Sequence, residues 1–201
     1  MKFLDPHDEI DMHKNQLPHW QQGSVFVFVT WRLADSLPHE MLARWMDEKD
    51  TWLKHHSKPW DEQAEQEYHE RFSNQLDEWL DQGHGSCILK EFAIAKIMAD
   101  ALRHFDGERY GLDSFVVMPN HVHALFYPLG EHKLADIVQS WKGYSAREIN
   151  KQLGTKGARW QEDYWDRLIR NERHFLKCRE YIRTNPEKAR LRDGQFVWFQ
   201  K

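Results

Sequence analysis

The chain has 201 residues, enough for one domain with a sizeable core. Hydrophobic residues make up 40% and charged residues 30%, and no apolar run approaches the roughly 20 residues a bilayer span requires, so a membrane-spanning helix is excluded. The net charge of −4 argues mildly against a nucleic-acid binder, but it averages over two regions of opposite sign.

Residues 1–22 are polar and mixed and read as an arm. The opening MKFLDPHDEIDMHK has no apolar stretch of the kind a secretory signal needs, so the expected location is the cytoplasm. Residues 24–32, SVFVFVTWR, are β-branched and aromatic at nearly every position. That predicts a strand buried on both faces, in the centre of a sheet. Leu42, Trp45, Met46 and Leu53 then repeat at helical spacing, with a break at Lys58-Pro59. The helical period resumes from Glu62 to Leu80, with Tyr68, Phe72, Leu76 and Leu80 on one face. Pro38 to Gln82 holds 12 acidic and 5 basic residues and is about −7. This region reads as an acidic helical insertion, expected on the surface away from any nucleic-acid groove. Gly83, Gly85 and Ser86 make a loop.

Ala93 to Phe105 predicts an amphipathic helix ended by Asp106-Gly107. Tyr110–Met118 and His121–Tyr127 predict a hairpin turning at Pro119-Asn120. Leu134 to Leu153 predicts a helix ended by Gly154. Arg159 to Ile169 is ambiguous, with strand favoured by its aromatics. Asn171 caps a predicted helix from Glu172 to about Thr184, with Pro186 just beyond its end. Phe196 to Phe199 is a short apolar segment that docks on the body. Lys142 to Arg192 holds 14 basic and 7 acidic residues, about +7, and can face a phosphate backbone. The alternative is two solvated helical regions whose charges cancel. The ten tryptophans serve mostly as core, with some free to stack on unpaired bases. Cys87 and Cys178 form no CxxC pair and read as free thiols. The element order predicts a single α+β domain with helices packed on an antiparallel sheet.

Two motifs carry chemistry. In Met118-Pro119-Asn120-His121-Val122-His123, two histidines two apart on a strand point to one face and can converge on a cation, while Val122 points into the core. The alternative is a structural or surface pair. In Tyr181-Ile182-Arg183-Thr184-Asn185-Pro186, Tyr181 and Asn185 share a helix face at i, i+4. A phenol can attack phosphorus when a nearby metal neutralises the developing charge, and an amide oxygen one turn away can serve as a third ligand. The alternative makes Tyr181 an ordinary amphipathic residue and Asn185 a helix terminator.

Together the motifs resemble the REP-associated tyrosine transposases, single-tyrosine members of the HUH nuclease superfamily. MPNHVHALF is similar to the HUH segment. WQEDYWDRLIRNERHF followed by REYIRTNPEKARL is similar to the family's C-terminal signature of a WQ pair and a helix bearing YIxxNPxxA. The resemblance covers residues 24–34 loosely and 108–192 well, and leaves out the acidic stretch at 38–82. It implies a ferredoxin-like antiparallel sheet with helices on it. It implies Tyr181 as nucleophile and His121, His123 and Asn185 as ligands of Mg²⁺ or Mn²⁺. It implies cleavage and rejoining of single-stranded DNA near hairpins through a 5′-phosphotyrosine, by a monomer or homodimer at the nucleoid. Tyr164 is the competing nucleophile. Lys142, Arg147, Arg167, Arg170, Arg173, Arg183 and Lys188 are candidate phosphate contacts. Two other readings stay open: an idle DNA-binding module of the same fold, and a metal-dependent hydrolase that uses only the HVH pair.

Overall fold

The computed structural model describes residues 2–14, 18–56 and 62–201. Five strands form one sheet in the order β6-β3-β5-β4-β7, with every neighbouring pair antiparallel. They are β3 (Val27–Arg32), β4 (Tyr110–Val117), β5 (His121–Pro128), β6 (Trp165–Leu168) and β7 (Val197–Gln200). A separate small hairpin comes first, β1 (Asp11–Lys14) with β2 (Pro18–Gln21). The class is α+β, as expected. The arm read at residues 1–22 contains this hairpin, and the docked segment at 196–199 is the edge strand β7.

Strand alternation gives the sheet two different faces. Val27, Val29 and Trp31 of β3 join Val122, Ala124 and Phe126 of β5 in the larger core. Covering that face are α4 (Phe92–His104) and α5 (Leu134–Leu153), which supply Met98, Leu102, Ile137 and Trp141. Phe26 and Leu125 point the other way, into a smaller core with Phe175, Cys178 and Ile182 of α6 (Glu172–Lys188). Asn171 caps α6, its side-chain oxygen accepting from the His174 amide at 2.8 Å. The helix runs past its expected end near Thr184 and includes Pro186. Pro186 has no N–H to donate to the Ile182 carbonyl, so one helical bond is lost there, and the helix ends two residues later at Lys188. Ala189 and Leu191 still donate to the carbonyls of Asn185 and Pro186.

Residues between β3 and α4 form α1 (His39–His55), α2 (Glu62–Tyr68), a π-helical turn at His69–Ser73 and α3 (Asn74–Asp81). The break expected at Lys58-Pro59 lies outside the described residues. This helical segment has its own core of Leu37, Trp45, Trp52, Phe72, Leu76 and Leu80, with Trp165 of β6 packed against it. At its exit, Gly85 has φ +85° and a Cβ there would sit 2.3 Å from the Asp35 carbonyl oxygen, so only glycine fits. Among the described residues no helix is long and apolar enough to cross a membrane.

Candidate active site

His121 and His123 lie on β5, opposite Arg32 and Thr30 of β3. Both rings are on the α6 face of the sheet, with centroids 4.7 Å apart and nearly perpendicular. The Tyr181 ring on α6 meets the His123 ring edge-on at 5.1 Å. Phe28 packs against both rings, at 5.5 Å from His123 and 5.9 Å from Tyr181. Asn185 sits one turn beyond Tyr181, is fully buried, and its amide faces the Tyr181 hydroxyl. Strand alternation and the i, i+4 helical spacing thus bring one tyrosine, one amide and two imidazoles to one place.

Burial governs the electrostatics. It pushes His121 down to about 3 and His123 well below the usual histidine range, so both rings are neutral at physiological pH. The tautomer of His121 follows from Asn120. That side chain donates through Nδ2 to the carbonyls of Leu80 (3.1 Å) and His84 (3.2 Å), which turns its Oδ1 toward His121 Nδ1 at 2.8 Å. Nδ1 therefore carries the proton and Nε2 keeps its lone pair. For His123, Nδ1 bonds Thr30 Oγ1 at 2.7 Å, and Nε2 is buried with no partner. Both amide atoms of Asn185 and the hydroxyl of Tyr181 are likewise buried and make no hydrogen bond of full geometry, although Asn185 and Asp77 both act on that hydroxyl. Each such orphan costs about 1–3 kcal/mol, so this concentration of them is poor structural economy and good ligand chemistry. The donor set suits a divalent cation: two neutral imidazole nitrogens and one amide oxygen. Among the described residues no group of three His, Cys, Asp or Glu side chains is arranged to hold a metal, so the third protein donor available here is the amide.

The acidic segment is not where it was expected. Asp77 and Asp81 of α3 lie close enough to the Tyr181 hydroxyl to act on it, Asp77 the more strongly, on the face of the sheet that carries the two histidines. Burial raises Asp77 to about 6 and Asp81 to about 7, although Arg167 and Lys188 pull Asp77 down and Lys188 pulls Asp81 down. Burial first, then these two carboxylates, holds the phenol of Tyr181 well above its ordinary range. The placement follows from the sequence after the fact. Asp77 and Asp81 repeat the i, i+4 interval of Leu76 and Leu80 one position later, so they ride the edge of the apolar stripe.

Tyr164 lies elsewhere. It belongs to the larger core behind the sheet and stacks on His19 at 3.9 Å. The candidate phosphate contacts divide. Arg167 and Lys188 are at the site, the Lys188 ammonium 5.0 Å from the Tyr181 ring centre. Arg173 and Lys188 line a shallow depression beside Tyr181. Arg170 is exposed at the start of α6, and Arg183 is held by Glu180. Lys142 and Arg147 are on α5, on the opposite face; the Lys142 ammonium donates to the Glu162 carbonyl at 2.6 Å. Sequence reasoning missed Asn120, Thr30, Asp77, Asp81 and the buried Arg32. The Arg32 guanidinium sits over Trp165, and its Nε has no partner.

Residues 90–185 match the family described as transposase IS200 like. The chain is 33% identical over 101 residues to a REP-associated tyrosine transposase of Escherichia coli (strain K12), across 48% of this chain and 52% of that one. It is 26% identical over 97 residues to an uncharacterized protein of Haemophilus influenzae, across 37% of this chain and 53% of that one. The chain thus spans about half the length of the curated relatives it matches. Among solved structures, a REP-associated tyrosine transposase bound to a REP hairpin aligns with TM-score 0.48 and 15% identity, over 87% of this chain and 74% of that one. A putative transposase from Deinococcus radiodurans aligns with TM-score 0.37 and 17% identity, over 82% and 93%.

Proposed function

We propose that this protein cleaves and rejoins single-stranded DNA beside a hairpin, with Tyr181 as the nucleophile. The observation that carries this reading is the convergence of buried, unpartnered polar atoms: His123 Nε2, the Asn185 amide and the Tyr181 hydroxyl. The family match of residues 90–185 supplies the reaction class. His121, His123 and Asn185 are the residues that would hold a divalent ion, Mg²⁺ or Mn²⁺. When bound, such an ion neutralises phosphate charge and lowers the barrier to attack by a phenol.

The chain's own residues do the rest. Asn120 and Thr30 fix the imidazoles, so that the site is preorganised before substrate arrives. Phe28 and the ring contact with His123 hold the Tyr181 ring at a set angle, which supports an in-line attack by its oxygen at phosphorus. The phenol oxygen forms a bond to phosphorus, the bond from phosphorus to the 3′ oxygen breaks, and the 3′ end leaves as a hydroxyl. A 5′-phosphotyrosine results. Attack by another 3′-hydroxyl reverses the step and rejoins strands without ATP, because the phosphodiester energy is retained in the covalent link. Arg167, Arg173 and Lys188 surround Tyr181 with positive charge for the flanking backbone.

The test is covalent capture. A labelled single-stranded hairpin incubated with Mn²⁺ and wild-type protein should give a band that survives a denaturing gel, and Tyr181→Phe should give none. Absence of the band for wild type, with hairpin binding intact, would favour an idle binding module.

A further inference from the structure

A nucleophile that attacks DNA must be reachable by DNA, and the Tyr181 hydroxyl is not, although the half-buried ring borders the depression lined by Arg173 and Lys188. That hydroxyl is buried, as are His123 Nε2 and the Asn185 amide, while His121 is 1% exposed. The cover over Tyr181 includes α3. The end of α3 is tied to the site through Asn120, which bonds both the Leu80 carbonyl and His121; the carboxyls of Asp77 and Asp81 act on the phenol, Asp77 the more strongly, and one Asp81 oxygen is itself buried without a hydrogen bond. The same carboxyls take up the positive charge of the site: Arg167 and Lys188 act on Asp77, and Lys188 acts on Asp81. Those cations are the ones best placed to meet a DNA phosphate beside Tyr181. A phosphodiester brought to the phenol would meet two carboxylates where it needs cations.

We propose that α3 is an autoinhibitory lid, a helix whose carboxylates occupy the place of a DNA phosphate over Tyr181 and which moves aside when single-stranded DNA binds. The proposal rests on the reading of Tyr181 as a DNA nucleophile. The segment is built to move as a body. Its apolar residues form a core of their own, separate from the two cores of the sheet, and Trp165 is the side chain of β6 packed against it. Polar attachment near the active site is slight: the Asn120 side chain holds the carbonyls of Leu80 and His84 at the end of α3. Opening would expose those two carbonyls to water, which can replace the lost bonds. The energetic logic is a population shift. If DNA binds only the open form, its apparent affinity is the intrinsic affinity multiplied by the open fraction, and anything that weakens the closed form raises affinity by the same factor.

The experiment uses the full chain, a labelled single-stranded hairpin and Mn²⁺, with wild type beside the Asp77→Asn/Asp81→Asn double variant. Amides are close in size to carboxyls, so the helix should pack as before; melting curves for both proteins check this. The variant should bind the hairpin about tenfold more tightly and form the covalent adduct faster, because like-charge opposition is removed. Hydrogen exchange supplies the second measurement on unaltered protein. Amides of residues 74–84 should lose protection when wild type binds the hairpin. Binding with unchanged or increased protection in α3 overturns the lid alone. Loss of the adduct in the double variant with binding retained also overturns it, and makes Asp77 a proton acceptor for Tyr181. Failure of both proteins to bind any hairpin defeats the single-strand reading and the lid with it.

Discussion

His19 joins the β1–β2 hairpin to the body, and the strength of that joint should depend on pH. Its ring is buried between two carboxylates, with Nε2 2.7 Å from Asp163 and Nδ1 2.5 Å from Asp166, and it stacks on Tyr164. Burial is the largest single influence and lowers the histidine's pKa, but hydrogen bonds and charge attraction from Asp163 and Asp166 together outweigh it and raise the value to about 9. Because the folded value lies above the unfolded value of about 6.5, the stabilisation is fully present below pH 6.5 and is lost as pH rises through 9. By linkage the two values give about 3 kcal/mol at pH 5.5, about 2 kcal/mol at pH 7.5 and almost nothing at pH 9.5. The perturbation is His19→Gln, which keeps polarity and loses the charge. Urea unfolding of both proteins at the three pH values measures the difference. The gap between wild type and variant should close as pH rises. A gap that stays constant from pH 5.5 to 9.5 would refute the imidazolium and leave only packing.

Three further outcomes follow from the site. Asn120→Ala removes two bonds to buried carbonyls and the bond that fixes His121, and should destabilise the fold by about 2–4 kcal/mol and slow adduct formation; denaturant unfolding and gel capture measure the two effects. His121→Ala should abolish the adduct at low Mg²⁺ and be partly restored by millimolar Mn²⁺, read by titrating each metal against adduct yield. Tyr164→Phe should leave the adduct yield within about threefold of wild type, because that ring packs behind the sheet; gel capture of both proteins checks this.

The parts of the fold that could be read from sequence are those whose pattern is local. The continuous β-branched and aromatic run at 24–32 marks a central strand, residues 110–127 mark a hairpin, and the step of two from His121 to His123 puts both rings on one face. The Asn171 cap marked the start of α6. Long-range placement was not legible. Residues 1–22 look like a polar arm because the partners of His19, Asp163 and Asp166, are more than 140 residues away. Asn120 reads as a turn residue, and only the structure shows its amide joining the end of α3 to His121. The acidic segment was assigned to the far surface because carboxylates and DNA repel. Helical period identifies the apolar stripe of α3 but not what the neighbouring Asp77–Asp81 edge will face. Pro186 reads as a stop signal, and α6 runs only two residues past it, to Lys188.

The claim that Tyr181 is the nucleophile is tested most directly by mapping the covalent adduct. Wild-type protein is incubated with a single-stranded hairpin and Mn²⁺, the adduct is digested with trypsin and nuclease, and the modified peptide is sequenced by mass spectrometry. Cleavage after Arg179 and Arg183 isolates Tyr181 in the peptide Glu180–Arg183, whereas Tyr164 falls between Arg159 and Arg167. The account predicts a phosphonucleotide on the Glu180–Arg183 peptide. A phosphonucleotide on the peptide that carries Tyr164 would contradict it.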